Sequence, residues 1–283
     1  MKVVTTVAEL HECVSEWKSQ GENIVLVPTM GNLHAGHMQL VKHARSFGEK
    51  LVCSIFVNPL QFDRDEDLHT YPRTPEQDLS ALSGVNVDLV FMPKREEVYA
   101  KEHQTQYEIP TYSLSQELCG VYRPGFFEGI VEVVARLFAM VNPDVAVFGE
   151  KDYQQLIILK RLVKDLDLST HIESVSTQRE HDGLAYSSRN SYLSRDERDK
   201  AKYLYATLTT IKTQIEHGFK DYEALENQAI EQLKLSGFRP DYVSIRDAKD
   251  LGNPTYTTDS IVVLAAAWLG KARLIDNILL QIG

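Results

Sequence analysis

Short apolar runs recur through the first half of the chain, with helical stretches between them. IVLV (24–27), LVCSIFV (51–57), VDLVFM (87–92) and DVAVF (144–148) have strand length and lack the alternation of a half-exposed sheet. Runs of this kind suit parallel strands that helices cover on both faces. Apolar residues at helical spacing fall in 37–48, 75–83, 129–141 and 152–165. The pattern predicts an α/β protein built on a Rossmann-like, doubly wound parallel sheet.

The pattern changes near residue 185. Amphipathic helices are predicted over 194–216 and 221–235, followed by the strand-like runs YVSIR (242–246), SIVVLAAAW (260–268) and ARLIDNILL (272–280). Leu269-Gly270-Lys271 reads as a tight turn between the last two. We expect a first domain of residues 1–184 and a smaller C-terminal α+β lid domain of 185–283 that closes over it.

Length and composition agree with two soluble domains, since 283 residues with 43% hydrophobic and 25% charged side chains can bury a core. The longest apolar run, Ile261–Leu269, is about half of a membrane span. MKVVTTVAELHECVSEW at the start has no apolar core or cleavage site of a signal peptide. A net charge of -10 disfavours nucleic-acid backbones but leaves room for a single nucleotide held by a few local cations. Three dispersed cysteines, Cys13, Cys53 and Cys119, contain no CxxC pair and indicate a reducing compartment. A cytoplasmic protein without membrane or nucleic-acid partners is expected.

PTMGNLHAGH (28–37) ends the first apolar run. Strand, glycine-containing turn and helix follow in that order, with the helix expected to start near Gly36 or His37. Backbone N–H groups and the positive end of the helix dipole then face the carboxyl edge of the sheet, where an anion binds. His34 and His37 stand close enough to donate to phosphate oxygens, and Gly31 and Gly36 remove Cβ atoms from the approach. A capping or surface role is the plain alternative for both histidines. Zinc fits poorly, because the spacing is three and no Glu intervenes.

Three further segments have comparable placement. FVNPLQFDRDEDLHTYPR (56–73) offers Asn58 and Gln61, neutral amides able to orient a small hydroxy acid, or simply a polar loop. FGEKDYQQL (148–156) suits a nucleotide, with Lys151 for phosphate charge, Asp152 for ribose hydroxyls and Gly149 for close approach of the base; a solvated Lys–Asp pair is the alternative. DGLAYSSRN (182–190) supplies hydroxyls, an arginine and a flexible glycine, or an ordinary serine-rich turn.

TMGNLHAGH resembles the HxGH signature, often quoted as HIGH, of the nucleotidyltransferase superfamily. PTMGNLHAGHMQLV, the NPxQF…ED…YPR segment, GEKDxQQL, the SSRN form of the KMSKS-type loop and AAAWLGKARLIDN (265–277) together resemble the pantothenate synthetase family, in the same order and over essentially the whole chain. The resemblance implies an ATP-dependent ligase that joins (R)-pantoate to β-alanine through a pantoyl adenylate, releasing AMP and pyrophosphate. It implies ATP contacts from Met30, Gly31, Asn32, His34, His37, Gly149, Glu150, Lys151, Asp152, Gln178, Tyr186, Ser187, Ser188 and Arg189. Gln61 and Gln155, supported by Asn58, are implied for pantoate or β-alanine, and His37, His34 and Lys151 for catalysis. Mg²⁺ with ATP, few direct protein ligands for it, and a homodimer through the N-terminal domain complete what the resemblance implies.

The chain departs from the family pattern at several places. Ala35 replaces an acidic residue, Phe126 in RPGFFEG replaces a histidine, and Glu128 stands where a basic or small residue is usual. Tyr186 and Gln178 replace smaller apolar residues. Two rival readings follow. A transferase for a phosphate-bearing acceptor needs extra cations where Gln61 and Gln155 are neutral. A nucleotide-binding regulator without turnover is the reading that Phe126, Glu128 and Tyr186 leave room for.

Overall fold

The computed structural model describes residues 1–62, 68, 69, 71–100, 110 and 112–282. Residues 63–67, DRDED, and Thr70 of the NPxQF…ED…YPR segment lie outside these. Contacts divide the chain into two compact units, Met1–Glu150 with Ile158–Ser176, and Lys151–Ile157 with Thr177–Gly283.

The first unit carries β1 (Lys2–Val4), α1 (Val7–Ser19), β2 (Ile24–Thr29), α2 (Ala35–Ala44), β3 (Lys50–Ile55) and α3 (Pro75–Ser83). Then come β4 (Leu89–Phe91), α4 (Arg95–Val98), α5 (Cys119–Tyr122), α6 (Phe126–Val141), β5 (Val145–Gly149), the part of α7 (Tyr153–Asp165) from Ile158 onward, and β6 (His171–Val175). Six parallel strands form one sheet in the order β1-β4-β3-β2-β5-β6. The expected doubly wound sheet is therefore present. Ile24, Leu26, Val25 and Val27 are all fully buried, which accounts for the absence of alternation in IVLV. Val25 and Val27 pack with Val41 and Ala44 of α2 and Leu82 of α3. Ile24 and Leu26 point to the opposite face, where α1 lies against β2 and α6.

Several elements of this unit lie outside the expected pattern, among them β1, α1, α4, α5 and β6. The N-terminal stretch, for which no element is expected above, forms α1; Val7, Leu10, Cys13 and Val14 make its buried face, and a capping box starts it in which Thr6 Oγ1 accepts from Glu9 N–H and the Glu9 carboxylate accepts from Thr6 N–H. The sheet also gains β6, a short edge strand whose exposure pattern lacks a continuous apolar run.

In the second unit, α8 (Arg195–Glu216) and α9 (Tyr222–Leu235) pack on an antiparallel sheet of β7 (Arg239–Asp247), β8 (Ser260–Leu269) and β9 (Ala272–Gln281). Leu269 pairs with Ala272, so Gly270 and Lys271 alone make the hairpin turn, with Gly270 at φ +56°. The core here is formed by Leu204, Leu208 and Ile211 of α8 with alternate residues of β8, among them Ile261, Val263 and Ala265.

Candidate active site

Neighbouring strands β2 and β5 mark the place where strand order reverses. The chain runs from β2 outward through β3 and β4, then returns to the other side of β2 as β5. Crevices at the carboxyl ends of such strands are where open α/β sheets bind ligands. PTMGNLHAGH leaves β2 at that point, and Gly149 ends β5 there.

The turn after β2 has a left-handed pair, Gly31 at φ +77° and Asn32 at φ +51°. A buried carboxylate holds it. Asp78 of α3 accepts from Asn32 N–H (2.9 Å) and Leu33 N–H (2.8 Å), and also from the Thr74 hydroxyl. A Cβ at Gly31 would lie 3.0 Å from Asp78 Oδ2 and from Ile55, so glycine is needed for space as well as for φ.

The helix begins at Ala35, earlier than the spacing suggests, and the two histidines cap it reciprocally. His34 is the N-cap residue, and its Nδ1 accepts from Gly36 N–H at 3.2 Å. His37, in the third helical position, accepts from His34 N–H through its own Nδ1 at 3.3 Å. The rings lie 4.0 Å apart between centroids. This is a capping box with imidazoles in place of Ser and Glu. Because Nδ1 is the acceptor in both rings, each neutral ring carries its proton on Nε2, an assignment that follows from the hydrogen-bond network.

Asn58 is 1% exposed and uses its whole amide. Its Oδ1 accepts from Leu60 N–H (3.1 Å) and from the Tyr99 hydroxyl (2.7 Å), while Nδ2 donates to Gly129 C=O (3.0 Å) and Gln61 Oε1 (3.1 Å). Gln61 is thereby oriented with Oε1 toward Asn58 and Nε2 toward Met30, 3.0 Å from Sδ. Gly129 of α6 lets that helix close on the Pro59–Gln61 turn, since a Cβ there would meet Leu60 C=O at 2.4 Å. Arg123 donates to Gln61 C=O at 3.2 Å, and its guanidinium lies 3.4 Å above the Phe126 ring. The residue that replaces the family's histidine thus serves as a platform for an arginine that touches the Gln61 turn.

Of the remaining predicted residues of this unit, Glu150 accepts from the Ser174 hydroxyl at 3.1 Å. Gly149 has ordinary backbone geometry, and a Cβ on it would come no closer than 3.8 Å to Leu40. The fold itself does not demand glycine there.

The second unit gathers the rest. Lys151 and Asp152 belong to the single 3-10 turn Glu150–Asp152 ahead of α7, and Gln155 is half-buried in that helix. Residues 178–186 double back on themselves, with Tyr186 N–H donating to Gln178 C=O (3.0 Å) and Glu180 N–H to Leu184 C=O (2.7 Å). The two residues that depart from the family pattern are thus backbone partners. Ser187 caps a short turn over Ser188–Tyr192 by accepting from Arg189 N–H. Arg198 of α8 anchors this loop through Asp182 (2.7 Å) and Glu180 (2.7 Å), and Asn190 ties back to Glu180 and to Ala185 C=O. The Arg198 hydrogen bonds hold the Asp182 carboxyl below the usual carboxylate range.

The motifs in the sequence do not include the residues that hold these candidates in place: Asp78, Tyr99 and Arg123 in the first unit, and Arg179, Glu180, Asp276 and Asn277 in the second. Cysteine chemistry is not on offer. All three cysteines are buried, and burial pushes the Cys53 thiol up to about 12.

The comparisons with known proteins agree with these motifs. Residues 2–279 match the family model described as pantoate-beta-alanine ligase. The chain belongs to that family. Pantothenate synthetase of Thioalkalivibrio sulfidiphilus is 51% identical over 280 residues, covering 98% of this chain and 97% of the relative. That of Methylococcus capsulatus is 45% identical over 282 residues, covering 100% and 99%. Among solved structures, pantothenate synthetase from Thermus thermophilus superposes with a TM-score of 0.90 at 41% identity, covering 98% of this chain and 99% of that one. Pantoate-beta-alanine ligase from Francisella tularensis, crystallised with beta-gamma ATP and beta-alanine, gives 0.79 at 33% identity, with 99% and 97% covered. As a pantoate-beta-alanine ligase family member, the chain is an enzyme, a ligase of pantothenate biosynthesis that uses ATP.

Proposed function

We propose that the chain condenses (R)-pantoate with β-alanine in two steps, and that His34, His37 and Lys151 act on the ATP phosphates. The observation that carries the reading is the reciprocal histidine cap at the β2–β5 crossing, in a chain matched to the ligase family over residues 2–279. The cap leaves both imidazoles as Nε2–H donors beside the N-terminus of α2, a combination that favours an oxyanion.

Pantoate is already a carboxylate at neutral pH, so adenylation needs no strong base. It needs ATP held for in-line attack on the α-phosphorus and donors where charge develops. We assign that work to His34, His37, Lys151, Ser187, Ser188 and Arg189, with Met30, Gly31, Asn32, Gly149, Glu150, Asp152, Gln178 and Tyr186 as further ATP contacts. The room around Gly149 supports its place in this set, because a glycine that the fold does not require is accounted for by a ligand that does. Gln61 and Gln155, with Asn58 behind Gln61, are assigned to pantoate or β-alanine. The orientation of the Gln61 amide supports this, since Nε2 is the end turned from Asn58 and suits a carboxylate or hydroxyl acceptor. In the second step the amine of β-alanine attacks the acyl carbon of the adenylate, the C–O bond to AMP breaks, and the amine proton is released.

The imidazoles, ammonium and guanidinium assigned to the phosphates donate to oxygen and do not ligate a hard cation, and the serine hydroxyls bring no negative charge to one. Among the described residues no group of three or more His, Cys, Asp or Glu side chains is arranged to hold a metal. We therefore expect Mg²⁺ to enter on the ATP phosphates, where it neutralises charge. Three buried cysteine thiols support a cytoplasmic setting. No described helix is long and apolar enough to cross a membrane. A homodimer is part of the proposal, and light scattering on the purified chain tests it.

The test of the reaction is product analysis with all three substrates. Equal amounts of pantothenate, AMP and pyrophosphate support the proposal. ADP and phosphate, or AMP without an amide product, would refute it.

A further inference from the structure

Asp276 occupies a place where an apolar residue is expected. Along β9 the residues that face the helices are Ala272, Leu274, Ile278 and Leu280, all in or against the core of the second unit. Alternation puts residue 276 in that same row, and Asp276 is 3% exposed. Burial pushes its carboxyl up, while the guanidinium of Arg179 opposes this with a fork of 2.7 and 2.9 Å. A buried ion pair is a poor way to gain stability, since an apolar side chain of similar size does as well or better. The pair calls for another explanation.

Its connections provide one. Arg179 also donates to Gly183 C=O (3.1 Å) and Asn277 C=O (3.0 Å), and stacks on the Tyr205 ring at 3.7 Å. Gly183 belongs to the bend that presents Ser187–Arg189. Asp276 Oδ1 accepts from Asn277 N–H (2.8 Å), and the Asn277 side chain, on a residue 4% exposed, donates from Nδ2 to Lys151 C=O at 2.9 Å. Both neighbours of this cluster, the Lys151 turn and the SSRN loop, are far apart in sequence and are joined through adjacent residues of β9.

We propose that Asn277 is a positioning residue for Lys151, held in register by the Arg179–Asp276 pair, so that the Lys151 turn and the Ser187–Arg189 loop are set by one rigid centre. The inference rests on the reading that Lys151 acts on ATP. Asn277 touches no substrate; it sets the backbone from which the lysine projects. Asp276 stands in the core row because a carboxylate there can fix both Arg179 and the Asn277 backbone at once.

The experiment is a double-mutant cycle on pantoate-dependent exchange of labelled pyrophosphate into ATP, with melting temperatures measured alongside. Asn277→Ala, and Asn277→Ser as the milder change if Ala does not fold, should lower exchange about fivefold to tenfold, the worth of one directed hydrogen bond. The pantoate KM should stay as in wild type. In a Lys151→Ala background the same substitution should cost nothing further, because its effect passes through the lysine. A merely structural role would give equal losses in both backgrounds, and that result, or wild-type exchange in both Asn277 variants, overturns the proposal. If Lys151→Ala itself exchanges normally, the assignment of Lys151 fails and takes this inference with it, an outcome distinct from additivity.

Discussion

Replacing Tyr99 by Phe removes one hydroxyl, and the geometry says where the consequence should be read. That hydroxyl donates at 2.7 Å to Oδ1 of Asn58, whose amide in turn orients Gln61. Burial pushes the phenol above its ordinary range, so it remains a donor at any assay pH. Asn58 Oδ1 keeps its bond from Leu60 N–H, and the loss is therefore one neutral hydrogen bond, worth about 1 kcal/mol. Spread over a protein of this size, that lowers the melting temperature by roughly 2–4 °C. If the loosened amide transmits the whole amount to Gln61, the pantoate KM rises about fivefold. Steady-state pyrophosphate release, with pantoate and ATP varied separately, reads both constants. The expected result is a raised KM for pantoate with the KM for ATP unchanged. Asn58→Ala should be far worse, because it strands the Tyr99 hydroxyl, Leu60 N–H and Gly129 C=O together. A Tyr99→Phe enzyme that melts lower yet keeps the wild-type pantoate KM would show that Tyr99 supports the fold and not the pocket.

Other consequences are open to similar tests. Gly149→Ala should keep the wild-type melting temperature, since a Cβ has room, while the KM for ATP rises; a fall in stability with unchanged ATP use would remove Gly149 from the site. His37→Ala and Lys151→Ala should each lower pantoate adenylation by about 10²–10³-fold if they aim donors at the transition state, and losses under threefold contradict that. The anchor of the 178–190 loop should weaken in acid. Arg198 holds the folded Asp182 pKa below its unfolded value, so the stabilisation is complete above the unfolded value, near about 4, and disappears as pH falls through the folded one. The melting-temperature gap between wild type and Asp182→Asn should be constant from pH 6 to 8 and begin to narrow only below about pH 4; a gap independent of pH would place the effect elsewhere.

Much of the fold could be read from the chain because buried parallel strands and amphipathic helices leave strong local patterns. IVLV and DVAVF became β2 and β5, and the hairpin at Gly270 fell where its turn residues stood. The start of α1 carried a local sign as well, the Thr6–Glu9 capping box, which apolar spacing alone does not register. Strand β6 gave no such sign, because HIESV is half polar and lies at a sheet edge. The site divides in the same way. His34, His37, Gln61, Lys151 and the SSRN loop lie in compact motifs, whereas Asp78, Tyr99 and Asn277 act on partners 46, 41 and 126 residues away. No periodicity reports a contact of that span. Asp276 is the exception, since an acid in the apolar row of ARLIDNILL is a conflict visible in the sequence itself.

The step on which the proposed reaction turns is formation of an acyl adenylate from pantoate. It is tested most directly by exchange of labelled pyrophosphate into ATP with pantoate present, Mg²⁺ supplied and β-alanine left out, which isolates the first half-reaction. Exchange should depend strictly on pantoate. A folded protein that binds ATP but shows no such exchange, or exchanges equally well without pantoate, would contradict it.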